Sequence, residues 1–294
     1  MRSTGYPPTG TIALDTDGIR SGIVVGVSSS GGQVVQQSGQ GSDAARSVSP
    51  AGGVATEATE PLVAVIIAAL NESGKIGQVL DKFPKDGRFE AIVVDDGSTD
   101  DTGDQARAHG AAVVLRHEQN RGVGAAIRTG FHCAQGRGRP YLALLAGDDQ
   151  HVPSDLVGAL DFALGRDLDY VQGSRWMRGG HVVGPSGGRA MGTRFYSLVF
   201  SMLVFRRITD ATNGFRVFRT KILDDPSINI DQDWLDRYEL EPYLLYRTIR
   251  SHYRVVEYPV TVVYHAKGYT KMRGLRDWWR LFRPALLLRF GVKR

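Results

Sequence analysis

Four polar clusters carry most of the chemistry available to this 294-residue sequence: Asn71-Glu72, Asp95-Asp96-Gly97-Ser98, Gly147-Asp148-Asp149-Gln150-His151 and Gly173-Ser174-Arg175. The adjacent carboxylates of Asp95 and Asp96 can accept hydrogen bonds from a base N–H or from ribose hydroxyls, with Gly97 allowing a tight turn. The same residues also suit a plain turn and a helix capped by Ser98 or Thr99. Asp148 and Gln150 lie two residues apart, so on an extended segment their side chains share one side. A carboxylate and an amide oxygen are hard donors suited to Mg²⁺ or Mn²⁺, ions that also take phosphate oxygens. The bland alternative is an acidic loop with an exposed His151. Asn120-Arg-Gly-Val-Gly-Ala125 opens a helix whose N–H groups could meet an anion, or whose glycines serve close packing. Arg175, Arg189, Arg216 and Arg273, with Lys271, are cations of the kind that phosphates require. Arg216 is the most constrained of them, set between apolar residues in Asn213-Gly-Phe-Arg216.

The elements that must position these groups follow from hydrophobic patterning. Leu62–Leu70, Ala91–Val94, Ala111–Leu115, Tyr141–Leu145 and Asp169–Gln172 read as strands, mostly continuous apolar runs as expected for burial on both faces. Helical spacing joins Ile76, Val79, Leu80 and Phe83, then Val123, Ile127, Phe131 and Ala134, then Leu156, Leu160 and Leu164 behind Pro153-Ser154-Asp155. Alternating strands and helices with short connections predict a mainly parallel α/β sheet with a ligand cleft at the carboxyl ends of its strands. The four clusters sit at four such ends. Further on, residues 188–205 and 237–250 read as helices, Gly214–Phe218 as a short strand, and Tyr253–Tyr264 as an extended stretch broken by Pro259.

Composition sets the outer bounds. Hydrophobic residues at 42% and charged residues at 23% exclude collagen, coiled coil and a fully disordered chain. A single cysteine, Cys133, excludes an internal disulfide framework and a multi-cysteine zinc site, and fits a reducing, cytoplasmic setting. No apolar run reaches the roughly 20 residues of a spanning helix, and no secretory signal is recognisable. Residues 1–60 hold 11 Gly, 9 Ser, no Lys and one aromatic, and read as a flexible extension in which Gly22–Val27 could form a short strand. From His265 onward nine Lys/Arg against one Asp give +8 of a total of +5, so the remainder carries −3 and nucleic-acid binding is not expected. That basic segment, with Trp278, Trp279, Phe282 and a leucine cluster, suits either an anionic membrane surface or a helix packed on the domain. The divisions expected are 1–60, an α/β domain over 61–273, and a basic amphipathic helix over 274–294.

In this order and spacing the clusters resemble inverting glycosyltransferases of family 2 with the GT-A fold, most closely the dolichyl-phosphate mannosyltransferase, or polyprenyl-phosphate hexosyltransferase, branch. The resemblance rests on Val65-Ile-Ile-Ala-Ala-Leu-Asn-Glu72, Ile92-Val-Val-Asp-Asp-Gly-Ser98, Asn120-x-Gly-x-Gly124, Gly147-Asp-Asp-Gln-His151, Gly173-Ser-Arg-Trp176 with Gly179-Gly180, and Asp210-Ala-Thr-Asn-Gly-Phe-Arg216. Tyr238-Glu-Leu-Glu241 and Gly268-Tyr-Thr-Lys271 extend it. It implies that Ala68, Leu70, Glu72, Val94 and Asp96 line the base and ribose, with Asn71, Ser98, Arg128, Ala146 and Gly147 completing the donor side. It implies that Asp148 and Gln150 hold Mg²⁺ or Mn²⁺ against the diphosphate, and that Arg175, Arg189, Arg216 and Lys271 bind phosphates.

This sequence departs from the family pattern in three places. Ala68-Ala69-Leu70 stands where the family usually has Pro-Thr-Tyr, which removes a stacking tyrosine. Ala146-Gly147-Asp148 stands where it has Asp-x-Asp, leaving Asp149 or Asp96 to compensate. A usual cation falls at His265. The reaction implied is transfer of a hexose from a nucleotide-sugar (GDP-mannose or a UDP-hexose) to a polyprenyl phosphate, peripherally at the cytoplasmic face of a membrane. A phosphate acceptor is already ionised and needs no strong base. A soluble hydroxyl acceptor would need one, and Asp210 and Glu241 are then the candidates. A non-catalytic nucleotide-sugar-binding protein is the alternative outside enzymes. The first strand lacks both the Gly-rich loop of dinucleotide enzymes and that of nucleotidyltransferases.

Overall fold

A computed structural model describes residues 60–185, 187–264 and 274–293. The expected strand at Gly22–Val27, together with His265 and Lys271, lies outside the described residues. Seven strands form the central sheet: β1 (Val63–Ala69), β2 (Phe89–Asp95), β3 (Val113–Arg116), β4 (Tyr141–Ala146), β5 (Tyr170–Ser174), β7 (Arg216–Arg219) and β8 (Val255–Pro259), in the order β3-β2-β1-β4-β7-β5-β8. Every pairing in it is parallel except those of β7, which runs antiparallel between β4 and β5. Two further strands, β6 (His181–Val183) and β9 (Thr261–Val263), pair in parallel beside it.

The apolar strand runs are buried on both faces because helices cover both. Along β1, Val63, Val65 and Ile67 pack on one side with α1 (Ile76–Asp81), α2 (Thr102–Ala108) and α4 (Asp155–Gly165). Ala64 and Ile66 pack on the other with α3 (Val123–Gly136), α5 (Gly187–Val204), α6 (Leu240–Arg250) and α7 (Gly274–Arg289). This is the period-two division of a strand between two cores. The sequence shows no apolar stripe for α2, which buries only Thr102, Gly103 and Ala106. The strand expected from Ala111 starts at Val113, because the N–H groups of Ala111 and Ala112 go to Ala106 and Ala91 before the β3 register is joined. No helix among the described residues is long and apolar enough to cross a membrane.

The C-terminal helix packs on the domain. Leu281 and Ala285 are buried in the core on the α3 side, the Tyr196 hydroxyl donates to the Leu281 carbonyl at 2.9 Å, and the Tyr196 and Phe282 rings meet edge to face at 4.8 Å.

Candidate active site

A cleft of about 450 Å³ opens at the carboxyl ends of β1 and β4. Ala68, Leu70 and Glu72 line it from β1, Ala146, Gly147, Asp148 and Gln150 from β4, and Arg175, Arg189 and Glu241 from the later elements. Most of the residues assigned to one site on sequence grounds therefore share one cavity.

The turn after β1 is held by neighbours from the turn after β2. Asn71 sits at φ 50, a left-handed conformation that asparagine tolerates. Its N–H donates to Ser98 Oγ at 2.9 Å, and its side-chain oxygen accepts from Thr99 N–H at 2.8 Å. Glu72 N–H donates to Thr102 Oγ1, and Glu72 pairs with Lys75 at 2.7 Å. Asn71 and Ser98 shape the cleft rim and stand outside its lining. Val94 is fully buried in the core and also lies outside the cleft.

Asp96 lines the cleft, but its carboxylate is occupied by the protein. It meets His117 Nδ1 at 2.7 Å and accepts from the N–H groups of Arg121 at 2.9 Å and Gly122 at 2.8 Å. The other nitrogen of His117 meets Thr129 Oγ1 at 2.9 Å. The anion at this glycine loop is thus Asp96 itself. Within the first turn of α3 the Ala125 N–H is taken by the Asp236 carbonyl. The two glycines serve close packing: a Cβ on Gly124 would lie 2.0 Å from the Leu235 carbonyl oxygen, and one on Gly122, at φ 111, would lie 2.3 Å from that of Asp236. Both neighbours are backbone and cannot swing aside. We expect Gly124→Ala to destabilise the fold by roughly 1–3 kcal/mol or more, read by denaturant unfolding; an unchanged midpoint would contradict this packing.

Asp148 sits at the cleft mouth, with Gln150 donating to it from Nε2 at 2.6 Å and from its backbone N–H at 3.2 Å. Burial pushes its carboxyl up to about 6, opposed by the Gln150 N–H and reinforced by the nearby Glu72 carboxylate. Both proposed substitutes for the missing second acid hold other partners. Asp149, at φ 58, is turned onto Lys82 Nζ at 2.8 and 2.9 Å, and Asp96 is spent as described. His151 is buried, not exposed: its Nδ1 accepts from Ala146 N–H at 3.3 Å and its Nε2 faces Asn213 Oδ1 at 3.0 Å. Burial pushes its pKa down to about 4, so the ring is neutral. The Asn213 Oδ1 also accepts from Phe215 N–H at 3.0 Å, which fixes the amide orientation and leaves its buried Nδ2 without a partner among the described residues.

These two shifts predict a pH signature. Unfolded His151 takes up a proton near 6.5 and folded His151 only near 4, so acidification between those values favours the unfolded chain. Asp148 works oppositely: the folded chain takes its proton near 6 and the unfolded chain near 3.8, so acidification favours the fold. Partial screening at the cleft mouth keeps the Asp148 contribution to about 2 kcal/mol. Asp148→Asn removes it, so the variant loses about 2 kcal/mol more than wild type between pH 7 and 4.5. Denaturant unfolding at both pH values checks this, and identical acid dependence would contradict it.

Three expected site residues, Asp210, Arg216 and Arg128, do their work behind the cleft. Asp210 is fully buried and clamps Arg175 through Nε at 2.6 Å, Nη2 at 2.8 Å and the backbone N–H at 3.0 Å. Arg175 also donates to Tyr264 Oη at 2.5 Å and Thr212 Oγ1 at 2.6 Å. Burial alone would lower its pKa, but the Asp210 pairing outweighs it and raises the net value. Arg175 still lines the cleft; Asp210 does not and has no room to act as a base. Arg216 is buried beneath the cleft, donating to Glu241 Oε1 at 2.8 Å and to the carbonyls of Asn213, Gly214 and Glu241. It fixes the 213–216 turn instead of facing a phosphate. Glu241 does reach the cleft, with Arg216 on its carboxylate. Arg128 is turned onto Asp236 at 2.5 Å and the carbonyls of Ile230 and Gln232, tying α3 to the 230–236 loop. Arg189 lines the cleft with its guanidinium 4.7 Å from the Tyr264 ring centre.

The family model for glycosyl transferase family 2 matches residues 64–225, which hold β1 through β7 and the cleft. An undecaprenyl-phosphate mannosyltransferase of Micrococcus luteus is 32% identical over 72% of this chain and 88% of its own. The chain belongs to glycosyl transferase family 2. A polyprenol monophosphomannose synthase of Mycolicibacterium smegmatis is 31% identical over 71% of this chain and 80% of its own. A glucosyl-3-phosphoglycerate synthase from Mycobacterium tuberculosis, in complex with Mn²⁺, UDP and glucosyl-3-phosphoglycerate, superposes with TM-score 0.58 at 22% identity, over 81% of this chain and 82% of that one. This places the family 2 enzyme in the GT-A fold.

Its own residues do not build a preformed metal centre: among the described residues no three His, Cys, Asp or Glu cluster as ligands. The donor set at Asp148 and Gln150 fits a divalent ion only when phosphate oxygens supply the other ligands, which is the ordinary habit of Mg²⁺. The roles of His117, Thr129, Asn213 and Tyr264 around the cleft carried no sequence signal, since each depends on a partner distant in the chain.

Proposed function

We propose that this enzyme transfers a hexose from a nucleotide-sugar, GDP-mannose or a UDP-hexose, to a polyprenyl phosphate, with inversion and with Mg²⁺ or Mn²⁺. The observation that carries the acceptor class is the state of His151. It is the one histidine lining the cleft among the described residues, it is neutral, and both of its nitrogens face partners within the protein. Asp210 is locked to Arg175, and Glu241 holds Arg216. The histidine–carboxylate pair beside the cleft, His117 with Asp96, has its other nitrogen on Thr129, so no histidine among the described residues is free to act as a base there, and a phosphate monoester, already ionised near neutral pH, attacks without one. The undecaprenyl-phosphate mannosyltransferase and the polyprenol monophosphomannose synthase are named for this acceptor class, and a third relative, a dolichyl-phosphate hexose transferase of Haloferax volcanii, is 31% identical over 70% of this chain.

In this reading Glu72, Ala68 and Leu70 bound the nucleoside, and Asp148 with Gln150 holds the divalent ion against the diphosphate. The ion, when bound, supplies charge neutralisation of the departing nucleoside diphosphate. Arg175, held rigid by Asp210 and Tyr264, and Arg189 orient the phosphates electrostatically. Lys271 is assigned the same task from sequence. The acceptor resides in lipid, so the enzyme works peripherally at a membrane surface, with the basic C-terminal segment contributing attraction.

The test is a donor panel. Purified protein, Mn²⁺ or Mg²⁺ and a short polyprenyl phosphate are offered labelled GDP-mannose, UDP-glucose, UDP-GlcNAc and UDP-galactose in turn. Label entering the organic phase from one donor supports the reading and names the sugar. Donor hydrolysis without transfer to lipid overturns the acceptor assignment.

A further inference from the structure

Asn213 lines the cleft with one end of its amide unpaired. Two donors fix the orientation of that amide. His151 Nδ1 accepts from the Ala146 N–H, so His151 carries its hydrogen on Nε2 and donates it to Asn213 Oδ1 at 3.0 Å. The Phe215 N–H donates to the same oxygen at 3.0 Å. A flipped amide would set Nδ2 against both donors. The Asn213 carbonyl is taken as well, by Gln172 Nε2 at 2.9 Å and by Arg216 Nη2 at 2.8 Å. What is left is Nδ2, buried and without a partner among the described residues. Asn213 is only 2% exposed, so bulk water does not pair it. An unpaired buried donor is costly, and in a cleft it marks a place that a ligand atom completes.

The surroundings select the ligand atom. A Cβ on Gly214 would lie 3.2 Å from Glu241 Oε1 and 3.4 Å from His151 Cε1, so a carboxylate and an uncharged ring border this turn. Arg216 Nη2 donates to the Asn213 carbonyl and to Glu241 Oε1, each at 2.8 Å. That ties the two cleft residues together and commits the Arg216 cation within the protein. A phosphate oxygen would meet the Glu241 carboxylate here. A sugar hydroxyl suits the set better, because its oxygen accepts from an amide N–H and its hydrogen can go to a carboxylate. The place agrees with this. His151 bridges Asn213 to the 146–150 turn, which holds the diphosphate in the reading above, and the transferred hexose is bonded directly to that diphosphate.

We propose that Asn213 Nδ2 donates to a hydroxyl oxygen of the transferred hexose, which makes Asn213 a sugar-selecting residue of this enzyme. The assignment rests on the donor placement proposed above and not on the acceptor. Selection of this kind favours a hexose over its deoxy counterpart at one position, because the deoxy sugar leaves Nδ2 unpaired.

The experiment is titration calorimetry of the full chain with Mn²⁺ and without acceptor. GDP-mannose is compared with GDP, and UDP-glucose, UDP-GlcNAc and UDP-galactose with UDP. The variant is Asn213→Ser, since a serine hydroxyl can accept from the Phe215 N–H in the same tight turn but brings no amide. For one donor, the ratio of sugar-nucleotide affinity to bare-diphosphate affinity should fall about 10-fold in the variant, while the affinity for the diphosphate stays at the wild-type value. With that donor, one singly deoxygenated hexose should bind equally to both proteins, and the other deoxy sugars should keep the gap. An unchanged ratio for every donor overturns the proposal. So does an equal loss for the sugar nucleotide and the bare diphosphate, which assigns Nδ2 to a phosphate. If the melting temperature shows that the serine variant does not fold, wild type decides alone: weaker binding of one deoxy sugar supports the proposal, and equal binding of the parent and every deoxy sugar overturns it. Wild type that binds none of these nucleotides overturns the donor placement and the proposal together. A lowered ratio without transfer to polyprenyl phosphate upholds Asn213 and counts only against the proposed acceptor.

Discussion

Asp148→Asn is expected to lower glycosyl transfer by about 10³-fold or more, the several kcal/mol that a metal-held diphosphate contributes to the transition state. The reason lies in the cleft's scarcity of acids. Ala146 has no carboxylate, Asp149 faces Lys82, Asp96 is bonded to His117 and to backbone N–H groups, and Glu72 pairs with Lys75. Asp148 stands where a divalent ion and a diphosphate can meet. The same substitution should leave the protein at least as stable at pH 7, because burial and Glu72 already oppose the Asp148 charge. A site that costs stability and serves chemistry is the usual trade-off of an active centre. Mn²⁺ binding followed by electron paramagnetic resonance separates the steps. Wild type should bind the ion weakly alone and far more tightly with GDP or UDP, and Asp148→Asn should lose that synergy. Full transfer activity in the variant would contradict the metal assignment.

Asp210→Ala is expected to cost about 3–5 kcal/mol of stability, because it leaves a buried guanidinium without its counter-charge. Arg175 is only 6% exposed and Asp210 is fully buried, so solvent cannot replace the lost partner. Asp210 itself is held from a third element: its N–H donates to Glu257 at 2.9 Å. Removing it frees Arg175, loosens Thr212 and disturbs the cleft wall, so activity falls together with stability. Denaturant unfolding and steady-state kinetics on one sample distinguish this from a base. A base would show lost turnover with an unchanged unfolding midpoint, and that result would restore Asp210 to the chemistry.

The strands and the cleft were legible because they are local signals. β1, β2 and β4 are continuous apolar runs, and the polar residues that follow them fall at strand ends whatever the details of the fold. Helix α2 was not legible, because a helix that buries two small residues and a threonine needs no apolar stripe. The functional reading of single charges failed for a related reason. Arg216, Arg128 and Asp210 look available in the sequence, but their partners Glu241, Asp236 and Arg175 lie 25, 108 and 35 residues away. Only the fold reveals that these charges are already spent. The glycine loop at 120–124 shows the same ambiguity addressed by packing: Asp96 occupies the N–H groups of Arg121 and Gly122, and the backbone at 235–237 occupies the space of its missing Cβ atoms. The C-terminal helix was readable as basic and amphipathic, whereas its inward face, Leu281 and Ala285, emerges only from the packed helices.

The central claim concerns the acceptor, and one comparison addresses it most directly. A polyprenyl phosphate and the free polyprenol with the same tail are offered to the enzyme with the donor that the panel selects, and transfer into lipid is measured for each. The account predicts glycosylation of the phosphate alone, since among the described residues the histidine that lines the cleft has both nitrogens on protein partners and Glu241 is held by Arg216. Equal transfer to the free alcohol, or transfer only to a soluble acceptor such as 3-phosphoglycerate, would contradict it.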